Sequence, residues 1–255
     1  MTVASLSSSR RPDALAEARV HLAAAYRLAV LHELEEGIDN HLTMKVPGQE
    51  GRYLILPFGW HWSEASASRL VVYDDDGRTV EGTGTVERSA HCIHTPIHRL
   101  AGAAVVLHTH QTWALALNSL QDNRLLPTTQ TAAFFDGQVA YDDTYTGVAA
   151  SLEEGERLAR VMGDKPIVFM KNHGILVTGA TVAQAYKRLY KLERICRTQV
   201  LALGTGKPIA ILDDDVVAKV LAPAPEETHP AEERDRLYFE AMMRVLDRVN
   251  PGYRD

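Results

Sequence analysis

The feature that most constrains this chain is a series of short apolar runs, each closed off by turn residues and set between longer helical stretches. Residues 42–46, 52–56 and 70–73 are such runs, bounded by Gly, Pro or Asp clusters, and they read as strands. Asp74-Asp75-Asp76-Gly77 is a turn signal directly behind the third. Residues 103–107, 166–170 and 174–177 extend the series. Helical spacing marks 12–36, where Leu22, Tyr26, Ala29, Val30 and Leu34 share a face, and also 93–100, 113–120, 152–162, 182–203 and 233–249. Residues 207–233, with Ala222-Pro-Ala-Pro225, read as a looser segment. Strands and helices alternate without a regular βαβ rhythm. An α/β fold with a mixed or mainly antiparallel sheet, flanked by helices, is therefore expected.

A chain of 255 residues accommodates one large domain, expected over 17–255 with a helical C-terminal tail, behind a frayed segment 1–16. The net charge of −6 argues against a nucleic-acid-binding surface, which needs a basic excess. No run of about 18 apolar residues is present, so no membrane span is expected. The segment 1–13 lacks the apolar core of a secretory signal. Cys92 and Cys196 cannot build a disulfide framework and are expected as reduced thiols of a cytoplasmic protein.

The histidines are unevenly spread. His91, His94, His98, His108 and His110 fall within twenty positions. In Val105-Val-Leu-His108-Thr-His110 two imidazoles stand two apart at the end of an apolar run. A strand repeats every two residues, so both rings point to one face and can share one ion. His173, in Val168-Phe-Met-Lys-Asn-His173-Gly174, also lies just beyond an apolar run, with Gly174 expected to permit a sharp turn. Three protein ligands with one open position describe a catalytic site. Two histidines at a strand end also occur simply solvated, and the distant Asn-His-Gly adds little by itself.

An ordered set of motifs resembles the class II aldolase/adducin family, in its bacterial adducin-like branch. The set comprises Gly37-Ile-Asp-Asn40-His41-Leu-Thr43, Tyr53-Leu-Ile-Leu-Pro57-Phe-Gly59, His94-x-x-x-His98, His108-Thr-His110, Asn172-His173-Gly174-Ile175-Leu176 and Arg248-Val-Asn-Pro-Gly-Tyr253-Arg-Asp. The resemblance implies a three-layer α/β/α fold with a central, largely antiparallel sheet. It also implies a homotetramer with sites near subunit boundaries, and one divalent ion on His108, His110 and His173. Zn or Fe(II) comes first, and Mn, Co or Ni also suit such donors.

The family's acid/base glutamate corresponds to Glu87, which otherwise reads as a solvated carboxylate beside Arg88. His94 and His98 share one helix face. They either line the pocket, orient Glu87 or pack. Where phosphosugar members carry small polar groups, this chain has His41, Phe58-Gly59 and Thr85-Val86. His41, Phe58, Gly59, Thr85, His94 and His98 are thus the candidate substrate contacts. The thinned donor set argues against a phosphosugar. A tyrosine from a neighbouring subunit completes the site in the family, with Tyr141, Tyr145, Tyr238 and Tyr253 as candidates. The expected activity is a metal-dependent lyase, a retro-aldol cleavage or decarboxylation of a small non-phosphorylated hydroxy- or oxo-acid through a metal-stabilised enolate. The alternatives are a non-haem iron oxygenase acting on an aromatic keto or hydroxy acid, and a non-enzymatic adducin-like interaction protein.

Overall fold

Alternation within each apolar run decides which layer each side chain joins. In the computed structural model, which describes residues 14–145, 147–222 and 229–255, the strands are β1 (His41–Lys45), β2 (Arg52–Ile55), β3 (Val71–Asp74), β4 (Thr79–Glu81), β5 (Val105–Thr109), β6 (Val139–Asp142), β7 (Ile167–Met170) and β8 (Gly174–Gly179). They form one sheet in the order β4-β3-β2-β1-β5-β8-β7-β6. Every neighbouring pair is antiparallel except β6–β7. The mainly antiparallel sheet expected from the sequence is the one observed.

Odd and even positions of the central strands enter two different cores. Leu42, Val105, Leu107, Phe169, Ile175 and Val177 pack against α1 (Ala14–Leu31), α3 (Thr112–Asn118), α6 (Val182–Leu203) and α8 (Ala231–Val249). Val106, Val168, Met170 and Leu176 pack against α2 (Arg88–Leu100) and α5 (Leu152–Met162). The result is helix, sheet, helix. Each fully buried aliphatic side chain contributes about 1.5–3 kcal/mol. The same parity puts His41, Thr43 and His108 on the α2 side of the sheet. Gly155 lets α5 lie directly on α2, since an added Cβ would sit 2.8 Å from Pro96 Cγ and 2.9 Å from the Ile93 carbonyl.

Several boundaries differ from the sequence reading. The helix expected at 93 starts at Arg88, because its first turn is polar and carries no periodic signal. The strand expected over 103–107 runs over Val105–Thr109 and so includes His108. β4 and β6 were not foreseen; they are the two sheet edges, where strands are short and carry polar residues. Two helices, α4 (Gln130–Ala133) and α7 (Asp214–Leu221), were also missed, and α7 lies inside the segment read as loose. Residues 14–16, assigned to the frayed tail, form the first turn of α1; the rest of that tail, 1–13, and the Pro223–Pro225 stretch lie outside the described residues. The C-terminal motif is tied to α1 by Arg27, which donates to the Asn250 side chain at 2.8 Å and to the Ala65 carbonyl at 2.6 Å.

Candidate metal centre

β5 and β8 lie side by side, and the β7–β8 turn brings a third histidine over their ends. His108 is in β5, His110 immediately follows it, and His173 sits in the turn between Met170 and Gly174. The three rings form a near-equilateral triangle, with centroids 4.9, 4.9 and 5.1 Å apart. One nitrogen from each lies within 4.8 Å of the others.

Neighbouring groups fix which nitrogens face the centre. His108 Nδ1 donates to the Ile175 carbonyl at 2.9 Å, and His110 Nδ1 donates to Glu36 Oε2 at 2.5 Å. Both rings therefore present Nε2 inward, and these two atoms stand 3.2 Å apart. With its Nδ1 hydrogen committed to Ile175, His108 turns a bare Nε2 lone pair toward His110 Nε2, in the place where one ion could be shared by both rings. Tetrahedral Zn–N bonds of about 2.0–2.1 Å would separate ligand nitrogens by about 3.3 Å, close to the observed spacing. Burial holds His108 well below the ordinary imidazole value and His173 down at about 4, which keeps both in the neutral, ligating form. The residues fit a divalent ion.

The surrounding residues hold this geometry. Asn40, in a left-handed conformation at φ 78°, accepts from the His110 amide through Oδ1 at 3.1 Å. The turn through Gly37 carries Glu36 to His110. Buried Asn118 donates to the Met170 carbonyl at 2.5 Å and the Gly174 carbonyl at 3.2 Å, clamping both ends of the turn that bears His173. Glu193 accepts from the backbone amides of Trp113 and Ala114, fixing the start of α3 just behind His110. Gly174 does not make the sharp turn that the sequence reading expected of it. Asn172 does, at φ 59°, whereas Gly174 provides room: an added Cβ would lie 2.6 Å from His110 Cδ2 and 2.9 Å from His108 Cε1.

Glu87 occupies the N-cap position of α2, although its carboxylate does not cap the helix. Oε1 lies 2.5 Å from Ser89 Oγ, and Oε2 lies 3.6 Å from His41 Nε2. Burial pushes the carboxyl up, against the Ser89 hydrogen bond, which pulls it down. His41 is the cross-strand partner of His108, with ring centroids 5.1 Å apart, so it connects Glu87 to the triad.

A sequence profile of the Class II Aldolase and Adducin N-terminal domain matches residues 20–200. A putative aldolase class 2 protein of Caulobacter vibrioides is 35% identical over 250 residues, covering 94% of this chain and 92% of its own. The chain belongs to the class II aldolase and adducin family. Decarboxylase NovR of Streptomyces niveus is 30% identical over 204 residues, covering 77% of this chain and 75% of its own. The crystal structure of an aldolase II superfamily protein from Pseudomonas syringae superposes with a TM-score of 0.87 at 36% identity, over 96% of this chain and 98% of that one.

Within this class II aldolase fold the other candidate residues separate into two groups. Phe58 and Thr85 come together: the Phe58 amide donates to the Thr85 carbonyl at 2.9 Å, and Phe58, Gly59 and Thr85 are all exposed. His41, at 3% exposure, and His94 and His98, both at 0%, are buried. His94 and His98 thus lie on the inner face of α2, fully buried between that helix and the sheet. Of the four tyrosines, Tyr145 stands beside His173 in the same chain, with centroids 6.1 Å apart. Tyr253 is fully buried and donates to Asp247, and the Tyr141 hydroxyl accepts from the Leu125 amide. Sequence reasoning missed Glu36, Ser89, Asn118 and Glu193. Glu36 stands just ahead of the Gly37 motif, and that adjacency was the one available signal.

Proposed function

We propose that this chain is a metal-dependent carbon–carbon lyase, acting on a small non-phosphorylated hydroxy- or oxo-acid. The observation that carries the reading is the pair of inward Nε2 atoms 3.2 Å apart, beside a half-buried carboxylate reached through His41. His108, His110 and His173 would hold the ion, which supplies a Lewis acid for adjacent substrate oxygens. Glu87 is the proton carrier. In a retro-aldol cleavage its carboxylate takes the hydroxyl proton as the C–C bond breaks and returns it to the carbon that keeps the electron pair. In a decarboxylation its carboxylic acid protonates the carbon that has lost CO2. The exposed ring of Phe58 and the neighbouring Gly59 and Thr85 offer apolar surface and a single hydroxyl. A phosphate dianion draws several converging donors.

The ligand set favours the lyase over the iron oxygenase, because the three candidate ligands are all histidine, unlike the two-histidine, one-carboxylate set of many iron oxygenases. A homotetramer, the assembly the resemblance implies, would cover exposed apolar side chains such as Leu201 and Leu203. Light scattering that gives about four times the 28.2 kDa chain mass is the expected result. Among the described residues no helix is long and apolar enough to cross a membrane.

The test is a substrate panel run with zinc- or iron-loaded protein, comparing hydroxy- and keto-acids with sugar phosphates while following CO2, aldehyde and oxygen. Cleavage or CO2 release from an unphosphorylated acid, lost in Glu87→Gln, is expected. Turnover confined to a phosphorylated ketose, or turnover that consumes oxygen, contradicts the reading.

A further inference from the structure

On the side of the sheet away from α2, a cleft of about 430 Å³ opens between the end of α1, the start of α3 and the middle of α6. None of the candidate metal ligands or substrate contacts lines it. Its walls are aromatic. Trp113 and Tyr190 are both half-buried, and the His32 ring packs on Tyr190 with 4.5 Å between centroids. His32 Nδ1 lies 2.5 Å from the Tyr186 hydroxyl, which fixes the ring in place. Burial, and then the charge of Arg194, holds His32 below the ordinary imidazole value, so this wall adds ring surface and no charge at neutral pH.

The charge comes from α6. Arg194 and Arg197 stand three apart on that helix and so share one face. The Arg194 guanidinium lies 5.8 Å from the Tyr190 ring centre, and the Arg197 guanidinium lies 5.4 Å from the Trp113 ring centre. Arg19, Arg124 and Arg157 each reach a carboxylate. Arg194 and Arg197 have no such ion pair among the described residues, although both line the cleft and are exposed. The carboxylate of Glu193, between them and α3, is turned to the backbone amides of Trp113 and Ala114, at 2.8 and 3.0 Å. Glu33 stands at the rim. It closes α1 in the left-handed conformation, at φ 57°, where a helix end ordinarily takes glycine. Its charge offsets one of the two guanidinium charges, which suits a monoanion better than a phosphate dianion.

Guanidinium groups bind planar oxyanions through paired N–H donors, and aromatic walls bind flat rings. We propose that this cleft is a second binding site, which takes an aromatic carboxylate with its ring against Trp113 and Tyr190 and its carboxylate on Arg194 and Arg197. The site backs onto the candidate metal centre. Its α1 wall continues from Glu33 to Glu36, and its α3 wall begins two residues after His110. The proposal is independent of the lyase reading, because binding here needs neither metal nor turnover.

The test uses the full-length protein carrying 15N-labelled tryptophan. The chain has three tryptophans, so three indole signals are followed by NMR, with Trp113→Phe assigning the one that matters. The probe is 4-hydroxybenzoate, compared with benzyl alcohol as an uncharged ring and with inorganic phosphate as an anion that has no ring. Saturable movement of the Trp113 signal by 4-hydroxybenzoate is expected, with neither comparison compound reproducing it. Changing both arginines, Arg194→Gln and Arg197→Gln, should weaken the 4-hydroxybenzoate affinity by about tenfold or more. An unmoved Trp113 signal overturns the proposal. So does equal movement by benzyl alcohol or by phosphate, or an unchanged affinity in the double variant. If the double variant does not fold, the comparison of the three compounds on the wild type decides.

Discussion

Gly174→Ala probes how closely the ligands are packed around the candidate ion. The backbone at Gly174 is not left-handed, so the substitution acts through space alone. The new Cβ would sit 2.6 Å from His110 Cδ2, 2.9 Å from His108 Cε1 and 2.9 Å from the Thr109 carbonyl oxygen. Carbon atoms pack at about 3.5–4.0 Å, so the His110 ring must withdraw by about 1 Å. The Thr109 carbonyl is backbone of a central strand and cannot yield as a side chain does. Overpacking of this kind destabilises by about 1–3 kcal/mol. Moving one ring also breaks the 3.2 Å approach of the two Nε2 atoms. A loss of about 10–100-fold in metal affinity is expected, the range seen when ligand orientation is disturbed. Competition with a chromophoric zinc chelator measures the affinity, and thermal melting of chelator-treated protein measures the stability. Wild-type zinc affinity together with an unchanged melting temperature would refute the packing argument.

Glu36→Ala removes the carboxylate that orients His110; because Glu36 is itself exposed, zinc affinity should fall by about tenfold with stability altered by no more than about 0.5 kcal/mol in a denaturant melt. Asn118→Ala removes the side-chain donor to the carbonyls of Met170 and Gly174 and takes the Oδ1 acceptor from buried Asn123, and denaturation should show a loss of about 1–3 kcal/mol along with weaker zinc binding. The pH dependence follows from His98, whose folded pKa is lowered to about 3 from 6.5. Between those values the unfolded chain binds the extra proton, so this contribution is full above about 6.5 and falls away as pH drops toward 3. Urea melts from pH 7 to pH 4 should show that decline, and His98→Gln should flatten it; an equal slope in both proteins would contradict the assignment.

The fold was legible wherever a segment had a strong period. The strands through Leu42, Tyr53 and Val105 and the helices over Leu152–Met162 and Val182–Leu203 were all marked by spacing. The short edge strands β4 and β6 were not, since an edge needs neither apolar faces nor length. The triad was legible because period two places His108 and His110 on one face, and a motif added His173. The roles of His94 and His98 were not, because helical spacing says which residues share a face and not whether that face meets solvent or the sheet. Glu36, Asn118 and Glu193 were invisible for a related reason. Each reaches the site across more than 50 residues of chain, and only the folded topology brings them there.

Metal analysis of the purified protein tests the central claim most directly. The chain should carry about one divalent ion, and His108→Ala, His110→Ala and His173→Ala should each lose it while remaining folded by circular dichroism. Undiminished metal content in all three variants, or no uptake by the wild type after incubation with zinc, iron or manganese, would contradict it.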